Sequence, residues 1–176
     1  MEGKIKRKMR MGIKIQLNHI FENLGIRYAV IMPDSMNSKL YPHIQGKMEI
    51  IQCLNETDVV TIASGLNLSG CLSVAIMENS GMRSACDVIS RFETMHHIHN
   101  IYTLSSRGDI GEENWWGIRH KQVTDGIISD LRMLSMDIHG IGEFAEGLLR
   151  AVKTLKTEQV SVVLNLSADF FENIPK

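Results

Sequence analysis

Cysteine and proline are both scarce in this sequence, and neither charge sign is in excess. The three cysteines, Cys53, Cys71 and Cys86, lie in apolar contexts with no C-x-x-C spacing. That argues against a disulfide framework and a zinc site, and predicts reduced core residues. Three prolines fit a chain with few loops. Nineteen basic residues face 20 acidic ones, a net charge of −1. The counterion release on which nucleic-acid binding rests therefore has no basic surplus to supply it, and nucleic acid is not an expected ligand. No stretch approaches bilayer length. The basic start Met1–Arg10 is not followed by an apolar run of signal-peptide length before Asn18, so the expected compartment is the cytoplasm, away from membranes.

What is present is 176 residues, 44% hydrophobic and 22% charged, with a mean hydropathy near zero. Such a chain buries a core without metal or disulfide staples. Residues 1–11 read as a solvated basic tail and residues 12–176 as one domain, with no internal repeat or low-complexity tract. Eleven methionines read as core filling, since the side chain fits irregular gaps.

Apolar spacing gives the element order. Ile13, Leu17, Ile20, Phe21 and Leu24 recur at helical spacing before Gly25, and Tyr28–Met32 follows as a strand. Met48–Leu54 and Leu72–Met77 are further strands, each leading into a helix, from about Asn55 and from Gly81 to about Met95. Ile98–Leu104 reads as a strand, Ile118–Leu134 and Phe144–Leu155 as helices, and Val160–Leu166 as a final strand. Apolar strands alternating with helices predict a three-layer α/β/α sandwich with a mostly parallel sheet of about six strands.

In open parallel sheets ligands bind beyond the carboxyl ends of the strands. Here the residues after the strands are unusually polar: Pro33-Asp34-Ser35, Asn55-Glu56, Glu78-Asn79-Ser80-Gly81 and Ser105-Ser106-Arg107-Gly108, then a long loop reaching His120. Local roles compete for several of them. Asn55 is a good helix N-cap, Glu56 suits the first turn, and Asp58 can complete a capping arrangement. Ser80 can cap the helix that Gly81 opens. His96, His97 and His99 form a dense group, but only 96 and 99 share a helical face and no carboxylate joins them. Helix-end charge and packing are the expectation there, with no metal. Trp115-Trp116, beside Glu112 and Glu113, could line a pocket or bury against a partner, with packing rather than catalysis the expectation.

Taken in order, these clusters resemble a known family. Met32-Pro33-Asp34-Ser35, Asn55-Glu56 with Ala63-Ser64-Gly65, Met77-Glu78-Asn79-Ser80-Gly81-Met82, Ser106-Arg107-Gly108 with Gly111-Glu112, and His120 with Gln122 and Gly126 are similar to the pyrimidine-binding domain of thiamine-diphosphate-dependent decarboxylases. The likeness covers roughly residues 13–136. It is strongest to the alpha subunit of sulfopyruvate decarboxylase and the amino-terminal part of phosphonopyruvate decarboxylase. The resemblance implies that Glu56 contacts the cofactor's aminopyrimidine ring and is catalytic together with His120. It implies that Asn79, Ser80 and Gly81 border the cofactor, and that Asp34, Ser35 and Arg107 face the substrate. The implied reaction converts a 3-substituted pyruvate into an aldehyde and CO2.

Two departures stand out: Glu78 occupies a position where the family usually has glutamine, and His99-Asn100-Ile101 lacks a proline usual in that strand. Larger still is the lack of the Gly-Asp-Gly motif and downstream asparagine through which the family holds diphosphate and Mg²⁺. The implied arrangement is a hetero-oligomer, in which a beta subunit supplies those contacts and this chain alone is inactive. A carboligase of the acetolactate-synthase type and a non-catalytic α/β assembly subunit are the competing readings.

Overall fold

The strands in the middle of the sheet are buried nearly throughout because they are covered on both faces. The computed structural model describes residues 20–46 and 48–174. Its strands are β1 (Tyr28–Ile31), β2 (Glu49–Gln52), β3 (Ser73–Glu78), β4 (Ile101–Ser105), β5 (Leu134–Ile138) and β6 (Val162–Leu166). They form one sheet in the order β2-β1-β3-β4-β6-β5, and every pairing is parallel. β4 and β6 are buried at every residue, and β3 at all but Glu78.

Alternate residues of each strand feed opposite layers, as a period of two requires. Ala29, Ile31, Val74 and Ile76 join a core with Phe21, Phe144, Leu148 and Phe170. Val30, Ala75, Met77 and Tyr102 join a second core with Val59, Val60, Met82, Ala85 and Ile89. Each fully buried aliphatic or aromatic side chain contributes about 1.5–3 kcal/mol relative to exposure. The connecting helices are α1 (Tyr41–Ile44), α2 (Glu56–Leu68), α3 (Gly81–Val88), α4 (Gly117–Asp130), α5 (Ile141–Thr157) and α6 (Ala168–Asn173). Sheet and helices make the expected three-layer α/β/α sandwich.

Residues 20–24 are helical; the rest of the helix expected from Ile13, and the basic tail 1–11, lie outside the described residues. One correction concerns the helix expected over Ile118–Leu134. It ends at Asp130; Arg132 turns left-handed at φ 53°, and Leu134–Ile138 is a sheet strand. This edge strand pairs only with β6 and has three of its five residues exposed, so it carries no apolar run to betray it. The short helical turns between Asn37 and Ile44 and the terminal helix α6 are likewise structure that periodicity did not show. Cys53 is buried as expected, whereas Cys71 and Cys86 are only half-buried; all three are free thiols.

α3 passes into a π-helical turn, Ile89–Glu93, and a last turn, Thr94–His96. The turn carries Glu93 inward to 1% exposure. Its carboxylate accepts from Ser64 Oγ (2.6 Å), Tyr102 OH (2.5 Å) and the Asn100 side-chain amide. Burial pushes the Glu93 carboxyl above its ordinary value, against the opposing effect of these hydrogen bonds. Asn100 donates its backbone N–H to Ser161 Oγ at 3.1 Å, a bond that a proline at that residue would forbid.

Candidate active site

With all six strands parallel, their carboxyl ends share one edge, and the loops leaving β1, β2, β3 and β4 place the polar clusters there. After β2, Asn55 caps α2. Its Oδ1 accepts from the Asp58 backbone N–H at 2.8 Å, and its Nδ2 donates to Asp58 Oδ2 at 2.7 Å. Capping is thereby complete without Glu56. The Glu56 carboxylate, half-buried, has no hydrogen bond or ion pair among the described residues. Its methylene stem lies against Gly81, where an added Cβ would overlap the Glu56 Cγ and come within 3.2 Å of its Cβ. Glycine at 81 is thus what lets Glu56 lie over the start of α3.

After β1, Asp34 is committed to its own loop. Its carboxylate accepts from the backbone N–H groups of Met36 (2.6 Å) and Asn37 (2.9 Å), from the Asn37 side-chain amide and from Ser105 Oγ (2.5 Å). Such saturation fixes the turn and presents Ser35 beside it. Asn79 is 1% exposed and acts as a cross-strut. Its Nδ2 donates to the Arg107 carbonyl at 2.8 Å, its backbone carbonyl accepts from Thr124 Oγ1 at 2.7 Å, and its Oδ1 is buried with no partner among the described residues. Ser80 occupies the N-cap position of α3 but makes no capping bond. The capping role expected for it is not found, because its hydroxyl donates instead to Glu78 Oε1 at 2.8 Å.

Glu78 gathers the edge together. Its Oε2 accepts from Arg107 Nε at 3.0 Å, and its Oε1 lies 3.5 Å from His120 Nδ1. Arg107 continues to Ser35, Nη2 donating to the hydroxyl at 2.8 Å, and its guanidinium lies 5.3 Å from the Trp116 ring centre. Trp116 in turn packs on the His120 ring, centroids 4.9 Å apart. Four of the expected residues, Ser35, Ser80, Arg107 and His120, are thus joined to Glu78 directly or through Arg107, and Asn79 adjoins it in sequence. Glu56 stands beside them through Gly81, and Asp34 connects through Ser105.

Sequence reasoning missed two supports. Trp116 carries both the arginine and the histidine. Glu112 accepts from the backbone N–H groups of Gly108 and Asn114, both at 3.0 Å. Burial pushes the Glu112 carboxyl up, but these bonds and the nearby Arg107 charge outweigh it and hold the group below its ordinary value. Gly108, at φ +103°, packs so tightly that a Cβ would overlap the Gly117 carbonyl oxygen, which locks the arginine loop onto the start of α4. The sequence signal was there in Arg107-Gly108 and Glu112, but not the contact between them.

A cavity of about 440 Å³ lies on this edge, lined by Met36, Lys39, Arg107, Glu112, Asp169 and Phe171 among others. A cavity of about 520 Å³ near Arg27, Asn67, His97 and His99 lies at the opposite edge, away from the polar clusters. Among the described residues no group of three His, Cys, Asp or Glu side chains is placed to hold a metal ion, and no helix is long and apolar enough to cross a membrane.

No family model and no curated protein matches the chain. Solved structures do. Benzoylformate decarboxylase from Polynucleobacter necessarius superposes with a TM-score of 0.70 at 16% identity, over 93% of this chain and 30% of that one. The thiamine diphosphate-dependent 4-hydroxybenzoylformate decarboxylase of Rhodococcus jostii RHA1 gives a TM-score of 0.72 at 12% identity, over 93% of this chain and 31% of that one. At such identity the likeness carries the fold. The chain spans a little under a third of these structures, and its six-stranded parallel sandwich is the fold of one segment of a thiamine-diphosphate-dependent decarboxylase.

Proposed function

We propose that this chain is the alpha subunit of a two-chain, thiamine-diphosphate-dependent 2-oxo acid decarboxylase. It presents the edge that receives the cofactor's aminopyrimidine, while a beta subunit holds the diphosphate and Mg²⁺. The observation that carries the reading is Glu56, half-buried, freed from capping by Asn55 and Asp58 and left without a donor among the described residues. A carboxylate so held is suited to a charge-assisted hydrogen bond from a ring nitrogen. When bound, the cofactor supplies the electron sink that lets the carboxylate carbon of a 2-oxo acid leave as CO2.

The remaining residues act on substrate and proton. Arg107 spends two of its five N–H groups on Glu78 and Ser35; the other three have no hydrogen-bond partner among the described residues and suit an acidic substituent, which favours a 3-substituted pyruvate of the sulfopyruvate or phosphonopyruvate type. Ser35 offers its hydroxyl beside it, His120 can carry a proton to the product aldehyde, and Asp34 shapes the turn that presents Ser35. Asn79, Ser80 and Gly81 form the wall along the pyrimidine, Gly81 by admitting Glu56. The expected compartment is the cytoplasm.

The test is calorimetric binding of thiamine diphosphate and Mg²⁺ by the chain alone and by the chain co-expressed with a Gly-Asp-Gly-bearing partner. The pair should bind cofactor and release CO2 from a 2-oxo acid, with aldehyde as product. Glu56→Gln should assemble normally and lose that activity. Absence of cofactor binding by every such pair overturns the reading in favour of a non-catalytic assembly subunit.

A further inference from the structure

Glu78 sits where three loops meet, and its two oxygens have different company. Oε2 faces Arg107 Nε at 3.0 Å. Oε1 faces Ser80 Oγ at 2.8 Å and His120 Nδ1 at 3.5 Å. Both side chains of the Glu78–His120 pair are 19% exposed. His120 Nδ1 is buried and makes no hydrogen bond among the described residues, so Glu78 Oε1 at 3.5 Å is the charge it faces, and the ring packs against Trp116. Charged groups near this cluster are Arg107 and, through the arginine loop, Glu112.

An ionised carboxylate only accepts hydrogen bonds. A bare Nδ1 would set its lone pair against Oε1 in a space from which water is excluded, whereas an Nδ1–H meets the oxygen favourably. The partner of one ring nitrogen decides what the other nitrogen does. We propose that Glu78 is a positioning residue that holds His120 as the Nδ1–H tautomer, making Nε2 the atom that accepts and releases protons. Nε2 has no hydrogen-bond partner among the described residues and is not among the sealed polar atoms. The same carboxylate anchors the Arg107 guanidinium, so one residue sets both the cation and the proton carrier of this edge.

The arrangement makes a sharp statement about glutamine at this position. Arg107 Nε–H requires an acceptor, so the amide oxygen of a glutamine would take the Oε2 place. Its NH2 group would then face His120 Nδ1 and donate to it, which demands a bare Nδ1 and moves the proton to Nε2. Glu78→Gln therefore inverts the tautomer while preserving size and the arginine contact.

The proposal that Nε2 serves catalysis rests on the decarboxylase reading, but the tautomer itself is measured on the free chain without cofactor. Long-range 1H–15N correlation spectra of the 15N-labelled full chain report which imidazole nitrogen carries the proton, recorded from about pH 6 to 10 so that the neutral ring is seen. The His120 signals are assigned by their loss in His120→Gln. The expected result is Nδ1–H as the majority neutral form in the native chain and Nε2–H in Glu78→Gln. Nε2–H as the majority form in the native chain overturns the proposal even if Glu78→Gln fails to fold. So does an unchanged tautomer in a folded Glu78→Gln. A native Nδ1–H signal in a chain that binds no cofactor with any partner sinks the decarboxylase reading and leaves the positioning of His120 standing.

Discussion

Two glutamates, one at each end of the sheet, each collect three polar neighbours, and they are held in opposite ways. Glu93, toward the amino ends of β3 and β4, is 1% exposed and is met only by neutral donors from Ser64, Asn100 and Tyr102. Glu78, at the carboxyl edge, keeps some solvent contact and is met by a cation, a hydroxyl and an imidazole. A sealed acid with neutral partners is a fastening, whose value lies in the stability lost when it is removed. An acid paired with Arg107 at an open edge arranges other groups.

This contrast makes graded predictions. The largest effect belongs to the sealed end. Glu93→Ala strands the Tyr102, Ser64 and Asn100 donors and should destabilise the fold by about 3 kcal/mol, read from the urea midpoint. The sign of its pH dependence follows from the raised carboxyl. Between the ordinary value of 4.5 and the raised one, the folded state retains a proton that the unfolded state has lost. Stability should therefore fall as pH rises through that window, and Glu93→Gln should remove the slope. A midpoint indifferent to pH there breaks the comparison at the sealed end.

At the open edge the expected cost shifts from stability to function. Glu56→Gln should lower decarboxylation by the assembled pair about 100-fold or more, with the unfolding midpoint moved by less than about 0.5 kcal/mol. Gly108→Ala is the informative exception: at φ +103°, against the Gly117 carbonyl, it should destabilise by about 2 kcal/mol, because here the backbone itself builds the edge. A small effect on stability is likewise expected from Glu78→Gln, under about 1 kcal/mol in the same titration. A loss as large as that of Glu93→Ala would show both acids to be fastenings.

Strands β1, β3, β4 and β6 and the helices over 56–68, 81–95 and 144–155 were legible, because burial on both faces writes continuous apolar runs and burial on one face writes helical spacing; the edge strand β2 was legible through Ile50 and Ile51 and the apolar residues flanking them. β5 was not, since an edge strand with one neighbour needs little apolar surface. Glu93 was invisible for a different reason: in Arg91-Phe92-Glu93-Thr94 it looks like a solvated helical position, and spacing does not show Ser64, Asn100 and Tyr102 converging on it. At the site, parallel topology made the grouping of Asp34, Glu56, Asn79, Arg107 and His120 readable from the strand ends. The bonds among them were not readable. Whether Asn55 or Glu56 serves the helix start, and whether Ser80 turns to its helix or to Glu78, depend on distances that spacing does not encode.

The contact between Gly81 and Glu56 has a consequence for how this sequence can change. Two positions on different helices occupy one volume, so the acid at 56 retains its place only while 81 has no side chain, and any variant that enlarges 81 must shorten or redirect 56. Substitutions at these two positions are therefore coupled through space, and an evolutionary path that discards the acid would release the glycine from its constraint.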